Sequence, residues 1–310
     1  MSDGVPAKWY SIGSVGVLCL RGEDSVDLLH RLSTQALADL GEGYQVRSTI
    51  FTTSQGKMLD WVSVLHSDEG VLLRTTPERA ERLREWIDSY IIMDDAAVED
   101  VSHKWRCCSL QGEGARGFLE AGEVPAERVV VDQGGLWYRG LEAYGERVEG
   151  LIPVAQAEPL AGRLVEAGFA EVAEDTLEYL RILAGVPSPQ REYRDEINPL
   201  ELRLKEEAIA WNKGCYIGQE VISRLDSYDK VKRLLMGFSC EGALPGDGVI
   251  KVRHQGKSLG RVTSLTATPE GGTVGLAIIE RAGLECDSVV LATEEATFDG
   301  RLHHRSFWGE

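Results

Sequence analysis

One stretch of eight residues carries several side chains that could do chemistry. It reads Lys213-Gly214-Cys215-Tyr216-Ile217-Gly218-Gln219-Glu220, and Arg224 lies just beyond it. A cysteine beside a lysine can have a lowered thiol pKa and be reactive. The alternative is a buried turn in which Cys215 is only a small apolar side chain. The stretch therefore supplies a candidate nucleophile together with an amide, a carboxylate and two cations.

The glycines and apolar residues of this stretch predict how it lies in the fold. Gly214 and Gly218 can adopt positive φ, or let backbone come close to a ligand that a Cβ would hinder. Tyr216 and Ile217 are apolar residues among polar ones. We therefore expect the stretch to thread between packed elements rather than to extend into solvent.

Asp60 is the first carboxylate to consider outside this stretch. The run Met58–Leu65 predicts a β-strand, and alternation puts Asp60 on one face with three apolar residues, Met58, Val62 and Val64. A bare carboxylate there costs too much free energy, so it must be paired, hydrogen-bonded or shifted in pKa. The alternative is a strand-end residue that reaches solvent, or a structural ion pair.

A second acid, Glu201, follows a long connection. The Pro- and charge-rich stretch 187–199 has a length that often lies near a site, and it leads into Asn198-Pro199-Leu200-Glu201-Leu202. Glu201 is thus a candidate, with an ordinary surface acid as the alternative.

His30 lies on or near the apolar face of a predicted helix and has no partner close in sequence. We expect it to be a satisfied core or boundary histidine.

The composition excludes some classes of partner. With 33 Lys and Arg against 50 Asp and Glu, the 310 residues carry a net charge of −17, which argues against nonspecific binding to nucleic acid or an anionic membrane. The six cysteines form no Cys-x-x-Cys pair, and His303-His304 point to opposite faces of a predicted strand, so no metal site is predicted. Without a leader, heptads or about 18 consecutive apolar residues, the chain is expected to be a cytoplasmic monomer.

Periodicity predicts the framework that positions these residues. A β-hairpin is expected from Met58 to Thr75, followed by a helix with Thr76 as N-cap and Pro77 in its first turn. After Lys232, alternating runs separated by turns predict six strands and hence a small all-β barrel. The expected strands are Leu234–Ser239, Val249–His254, Ser258–Ser264, Thr273–Glu280, Ser288–Ala292 and Thr297–His303.

The eight-residue stretch resembles the signature of the YgfZ-type folate-binding proteins. These are relatives of the glycine cleavage T-protein (aminomethyltransferase), and they support iron–sulfur cluster proteins. Other segments resemble the same family, in the expected order over essentially the whole chain and most weakly between about 105 and 170. They are Gly22–Thr34, Gln55–Asp60, Arg181–Pro187, Asn198–Glu201 and Arg224-Leu225.

The resemblance implies an α+β fold, a three-module cloverleaf around a central funnel that holds tetrahydrofolate or a one-carbon derivative. The expected folate-binding region is 1–235, with two intertwined modules (1–50 with 170–235, and 51–169), and the C-terminal antiparallel β-barrel is 236–310. Asp60 matches an Asp that contacts the reactive folate nitrogen in T-protein relatives. Glu201 matches the acid that pairs with the pteridine ring, for which a carboxylate is suited.

The resemblance also assigns the signature residues to the folate site. Lys213 and Arg224 are expected to hold a Cys215 thiolate or the glutamate tail of folate. The remaining expected binding residues are Gly214, Tyr216, Gly218, Gln219 and Glu220. T-protein relatives often have two acids where this chain has Asp60-Trp61, and many YgfZ-type proteins lack the acid. The T-protein has Arg in place of Gln219 and no Cys in place of Cys215, so the sequence sides with the cluster-related branch.

Three functions remain open at this point. In the first, a folate-binding protein assists the assembly or repair of iron–sulfur enzymes, with Cys215 as a reactive thiol and with client or assembly proteins as partners. In the second, a folate-dependent one-carbon transferase uses Asp60 to position the folate amine or carry a proton. In the third, a noncatalytic scaffold binds no folate. Whether the protein is an enzyme is thus left open.

Overall fold

The computed structural model describes residues 5–40, 43–119, 122, 124–141, 147–193, 196–246 and 248–304. Its strands are β1 (Trp9–Gly13), β2 (Gly16–Arg21), β3 (Val46–Thr52), β4 (Met58–Ser67), β5 (Gly70–Thr75), β6 (Ala97–Asp100), β7 (Trp105–Gln111), β8 (Val130–Asp132), β9 (Gly135–Arg139), β10 (Arg147–Pro153), β11 (Ala170–Glu171), β12 (Arg233–Cys240), β13 (Lys251–His254), β14 (Lys257–Ala267), β15 (Thr273–Glu280), β16 (Ser288–Ala292) and β17 (Thr297–His303). The α-helices are α1 (Ser25–Leu32), α2 (Pro77–Asp88), α3 (Ala157–Glu166), α4 (Glu174–Leu183), α5 (Lys205–Ala208) and α6 (Gln219–Ser227).

The chain forms two compact units, and both are discontinuous in sequence. The N-terminal unit comprises Pro6–Val172 together with the returning segment Glu206–Gln219. The C-terminal unit comprises Val5, Ala173–Lys205 and the described residues between Glu220 and His304. The eight-residue stretch therefore begins in the N-terminal unit, and its last residue, Glu220, opens the C-terminal unit.

The N-terminal unit is built of four layers. A five-stranded sheet (order β3-β4-β5-β2-β6) and a six-stranded sheet (order β11-β1-β7-β10-β9-β8) each have a helical side. Leucines of α1 and apolar residues of α2 pack with Val62 and Val64 on one side of the five-stranded sheet. Its other side, including Leu72, packs with Tyr138 of the six-stranded sheet, and Leu160 of α3 packs on the far side of the latter. Burial on both faces explains the apolar character of these strands.

The predicted hairpin is confirmed. Strands β4 and β5 pair in antiparallel register from Ser63↔Arg74 to Ser67↔Gly70, and Gly70 has φ +125°, a backbone conformation that favours glycine. Helix α2 then begins at Pro77 after Thr76, as the sequence predicts, because proline at the first turn loses no helical hydrogen bond. Its buried residues Ala80, Leu83 and Ile87 follow helical spacing.

The C-terminal unit contains helix α4 and a closed barrel with strand order β12-β15-β14-β13-β16-β17. All six strand pairs are antiparallel, and their side chains fill the interior. Gly275 makes room for a core ring, since a Cβ there would lie 2.4 Å from Phe238. The predicted α+β class and the six-stranded C-terminal barrel are confirmed.

Within the described residues, no helix has both the length and the apolar character needed to span a membrane.

Candidate functional site

The returning segment 206–219 is bound to the N-terminal unit along its length. Thr34 Oγ1 donates to the carbonyl of Ala208 at 2.6 Å, and Thr34 O accepts from Ala210 N at 3.0 Å. Further along, Thr52 Oγ1 of β3 donates to the carbonyl of Ile217 at 2.6 Å, and Ile217 packs against the α1–α2 core. Tyr216 and Ile217 are packed as predicted, whereas Gly214 and Cys215 of the same stretch are exposed.

Lys213 is held by main-chain carbonyls at the end of α1. Its ammonium donates to the carbonyl oxygens of His30, Ser33 and Gln35 at 2.5, 2.6 and 2.9 Å. It also lies 5.2 Å from the centre of the Tyr216 ring. Burial lowers the pKa of Lys213 to about 8, so the amine is mostly protonated at pH 7. Because an ammonium has three donors, this geometry favours a structural role over the predicted contact with thiolate or folate.

The two glycines of the stretch differ in what they require. Gly218 has φ +85°, and a Cβ at this position would lie 2.6 Å from both Thr52 Oγ1 and the carbonyl oxygen of Thr53. Gly214 lacks a positive φ, and nothing lies within 4 Å of the position of its Cβ. Gly218 is thus needed for backbone conformation and close packing, whereas Gly214 has no such requirement in the fold.

Cys215 is exposed, which excludes the alternative of a buried apolar cysteine. The next residue, Tyr216, is only 7% exposed, and burial raises the pKa of its hydroxyl to about 12. Gln219 is half-buried at the start of α6, with its backbone N–H donating to Tyr216 O at 3.2 Å, while Glu220 and Arg224 are exposed. The thiol is therefore accessible and is followed by a firmly packed aromatic side chain.

Asp60 is buried within strand β4, with 1% of its surface exposed. Its Oδ1 accepts from the backbone N–H of Trp61 at 2.8 Å, and its Oδ2 accepts a very short hydrogen bond from Thr75 Oγ1. Burial raises the pKa of Asp60 to about 6, against the opposing effects of these hydrogen bonds and of Arg79 and Arg82. The alternative of a solvent-exposed strand end is excluded. Carboxylate oxygens have about four acceptor positions, and these two hydrogen bonds use one position on each oxygen.

Glu201, in the C-terminal unit, is hydrogen-bonded both to the loop that precedes it and to strand β12. Its Oε1 accepts from Arg233 Nε at 2.8 Å, and its Oε2 accepts from Asn198 N at 2.9 Å. Its main-chain carbonyl accepts from Leu235 N at 2.8 Å. Glu201 is therefore an ordered, paired carboxylate rather than a freely solvated acid. Its contact with a pteridine ring stays a prediction.

Two buried acid networks were not predicted from the sequence. Glu149, 4% exposed, pairs with Arg147 at 2.6 Å and Arg74 at 3.2 Å. Glu192, 1% exposed, accepts from Ser264 Oγ at 2.7 Å and pairs with Arg181 at 3.4 Å. The Arg-x-Glu spacing of Arg147 and Glu149 on one strand face was an available signal for the first network. The long separation of Glu192 from Ser264 left none for the second.

His30 has a structural partner, as the sequence predicts. Its Nδ1 accepts a hydrogen bond from the backbone N–H of Leu37 at 3.0 Å. This bond requires a neutral Nδ1, and burial, followed by the Lys213 charge, lowers the pKa of His30. The imidazole therefore serves as an acceptor that fixes the turn after α1, and it is a satisfied boundary histidine.

Comparisons with known proteins point to one kind of fold. No family model matches the chain. A putative chloroplastic transferase of Arabidopsis thaliana is 26% identical over 298 residues, which cover 90% of this chain and 67% of the relative. An aminomethyltransferase of Rubrobacter xylanophilus is 26% identical over 291 residues, 88% of this chain and 76% of the relative.

The similarity extends to a solved structure. The glycine cleavage system aminomethyltransferase T of Bartonella henselae superposes with a TM-score of 0.83 and 18% identity, over 97% of this chain and 86% of that chain. The predicted T-protein-like fold is therefore confirmed. The similar proteins are aminomethyltransferase-like. At 18% identity, the superposition shows the fold alone.

Proposed function

We propose that this protein binds tetrahydrofolate, or a one-carbon derivative of it, and assists the assembly or repair of iron–sulfur enzymes through Cys215. The observation that carries the folate part is Asp60, a carboxylate buried in the strand after a Gly-containing turn of an aminomethyltransferase-like fold. Tetrahydrofolate presents N–H donors, for which a carboxylate with unused lone pairs is a suitable acceptor. An acceptor suited to such a ligand is therefore present at Asp60.

The state of Asp60 suits a group that meets a reactive amine. Because burial raises its pKa to about 6, the carboxyl can exchange a proton near neutral pH. Thr75 and the Trp61 N–H fix the orientation of its two oxygens. In this proposal Asp60 contacts the reactive folate nitrogen, and the assignment of Glu201 to the pteridine ring comes from the resemblance alone.

Cys215 carries the iron–sulfur part of the proposal. It is exposed in a loop whose neighbours are anchored, so a partner protein can reach the thiol without local unfolding. A cluster usually takes four protein thiolates, so a single thiol serves as a transient ligand, in thiol exchange or in one-carbon chemistry. The partners are therefore iron–sulfur client or assembly proteins rather than a resident cluster.

A second candidate function is one-carbon transfer itself. It is favoured by the names of the similar proteins, which include aminomethyltransferases, and by the presence of Asp60. In this function Asp60 would be essential for turnover, whereas Cys215 would be dispensable. The two functions therefore differ in which residue matters for activity.

The first experiment is a calorimetric titration of tetrahydrofolate into the wild type and into Asp60→Asn, Glu201→Gln and Cys215→Ser. We expect micromolar binding that the two acid substitutions weaken by about tenfold or more and that Cys215→Ser leaves intact. Glu78→Gln and Glu285→Gln, at exposed acids of the two units, are the matched controls. An absence of binding to the wild type would exclude both folate-dependent functions and leave a scaffold.

A second experiment separates the two candidates. The wild type is tested for release of a one-carbon unit to tetrahydrofolate from an aminomethyl donor, and for recovery of a peroxide-damaged [4Fe–4S] dehydratase. We expect recovery of the dehydratase to be lost in Cys215→Ser and retained in the control Cys286→Ser. Turnover of the aminomethyl donor that survives Cys215→Ser, without any effect on the dehydratase, would favour the transferase.

A further inference from the structure

The end of helix α1 leaves main-chain carbonyls that the helix itself does not satisfy. The last turn of any α-helix has such groups, and here the chain turns away at Ser33 into extended backbone. The N–H of Thr34, which would bond His30 O in a continuing helix, donates instead to Ile50 O of β3 at 3.0 Å. The carbonyl of His30 therefore needs a donor from elsewhere.

Lys213 supplies that donor and two others. Its Nζ lies within 2.5–2.9 Å of three carbonyl oxygens, those of His30, Ser33 and Gln35. The carbonyls of His30 and Ser33 lie at the C-terminal end of α1, the negative end of the helix dipole, where a cation is favoured. A primary ammonium has three donors on one atom, whereas a guanidinium spreads its donors over a planar fork. The three carbonyls, named here the carbonyl socket, thus match an ammonium group.

The contacts around Lys213 also fix the loop that carries the thiol. On one side of Cys215, Lys213 is bound to the carbonyl socket. On the other side, Tyr216 is buried beneath the Lys213 ammonium at 5.2 Å, and Ile217 is bonded to Thr52. Gly214 and Cys215 remain exposed between these anchors. The position of the thiol is therefore set by anchors that flank it on both sides.

We propose that Lys213 is a positioning residue for Cys215, and that the carbonyl socket is a binding site for a primary ammonium group that the lysine side chain occupies. The inference rests on the contacts of Lys213 and not on the proposed function. Lys213→Ala removes the Cγ, Cδ, Cε and Nζ atoms, which together have the size of n-propylammonium. The empty socket of this variant should bind that cation from solution.

The test uses the full-length chain and no folate. Hydrogen exchange of peptides from 206–219, and the rate of Cys215 alkylation by iodoacetamide, are measured for wild type, Lys213→Ala, Lys213→Met and Lys213→Arg. We expect exchange in 206–219 to rise by about tenfold or more in all three variants, with strands β12–β17 unchanged and the alkylation rate altered. Lys213→Met serves if Lys213→Ala does not fold, because it keeps most of the side-chain volume.

Rescue separates recognition of the ammonium from simple loss of packing. Added n-propylammonium should restore the exchange and alkylation rates of Lys213→Ala with saturation, and should leave Lys213→Met unchanged because methionine fills the space. Neither 1-propanol, which lacks the charge, nor tetramethylammonium, which lacks N–H donors, should rescue. Exchange within about twofold of wild type in Lys213→Ala and Lys213→Met would overturn the proposal, as would equal rescue by 1-propanol.

Discussion

At the scale of single residues, Asp60 shows how burial and hydrogen bonds oppose each other. Its carboxyl is almost fully enclosed, which raises the pKa to about 6, although Thr75 and the Trp61 N–H both stabilise the charged form. An acid whose pKa is raised on folding binds its proton more tightly in the native state than in the unfolded state. Its contribution to stability is therefore largest at low pH and is lost as the pH rises through the native pKa.

The first prediction concerns the pH dependence of stability. For a shift from 3.8 to about 6, ionisation of Asp60 lowers the free energy of unfolding by up to about 3 kcal/mol between pH 4 and pH 7. Asp60→Asn removes this loss, so its stability relative to wild type should increase across that window. Urea unfolding at both pH values checks the difference, with Glu78→Gln as control. An equal difference at the two pH values would contradict the prediction.

The second prediction concerns the hydroxyl that orients Asp60. Thr75→Val keeps nearly the same volume but removes a hydrogen bond to a charged oxygen, which contributes about 1.5–3 kcal/mol. We expect the pKa of Asp60 to rise further and the free energy of unfolding at pH 7 to fall by about that amount, with a smaller loss at pH 4. Chemical denaturation and the carboxyl titration followed by NMR measure the two effects. A pKa that falls would count against this role of Thr75.

At the scale of elements, the returning segment depends on one glycine and not on the other. Gly218 combines positive φ with a close approach to strand β3, whereas Gly214 has neither. Two glycines that look equivalent in the sequence therefore have different structural roles.

The third prediction compares these two positions. Gly218→Ala should destabilise the protein by about 2 kcal/mol or more, because the added methyl group meets Thr52 and Thr53 in a strained backbone conformation. Gly214→Ala should change stability by less than about 0.5 kcal/mol and serves as the matched control. Thermal and urea unfolding give both values. Similar effects at the two positions would be inconsistent with the packing described for β3.

Elements with a local pattern were predictable, and those fixed by distant contacts were not. Helix α2, the β4–β5 hairpin and the barrel strands follow from turn residues and side-chain periodicity. The partners of Lys213 lie 178 to 183 residues earlier in the chain. No local spacing reports such a contact, so the sequence predicted a ligand for Lys213 where the structure has a helix end. The contact of Glu192 with Ser264 was missed for the related reason that the two residues lie 72 positions apart, whereas the Arg147–Glu149 pair had a local signal that was overlooked.

At the scale of the whole molecule, the excess of acidic residues sets the surface field. The net charge of −17 produces self-repulsion that is weaker in the expanded unfolded chain than in the compact native state. Screening by salt should therefore favour the native state.

The fourth prediction follows from this repulsion. Raising the salt concentration from ~10 mM to ~300 mM NaCl should increase the melting temperature at pH 7, since the Debye length falls from about 30 Å to about 6 Å and the repulsion is screened. Differential scanning calorimetry provides the measurement, with a neutral osmolyte of equal osmolarity as control. A melting temperature that falls with salt would show that surface ion pairs outweigh the repulsion.

The discontinuous N-terminal unit also sets an order of events during synthesis. The contacts between its two segments join Thr34 to Ala208 and Thr52 to Ile217, across 174 and 165 residues of chain. Contacts of such long range form late, because loop closure must precede them. While the chain leaves the ribosome, the two sheets and their helices can assemble early. The end of α1 cannot bind the Lys213 ammonium until residue 213 has been synthesised. Until then the end of α1 lacks its ammonium partner, and this is the interval in which we expect a chaperone to be most useful.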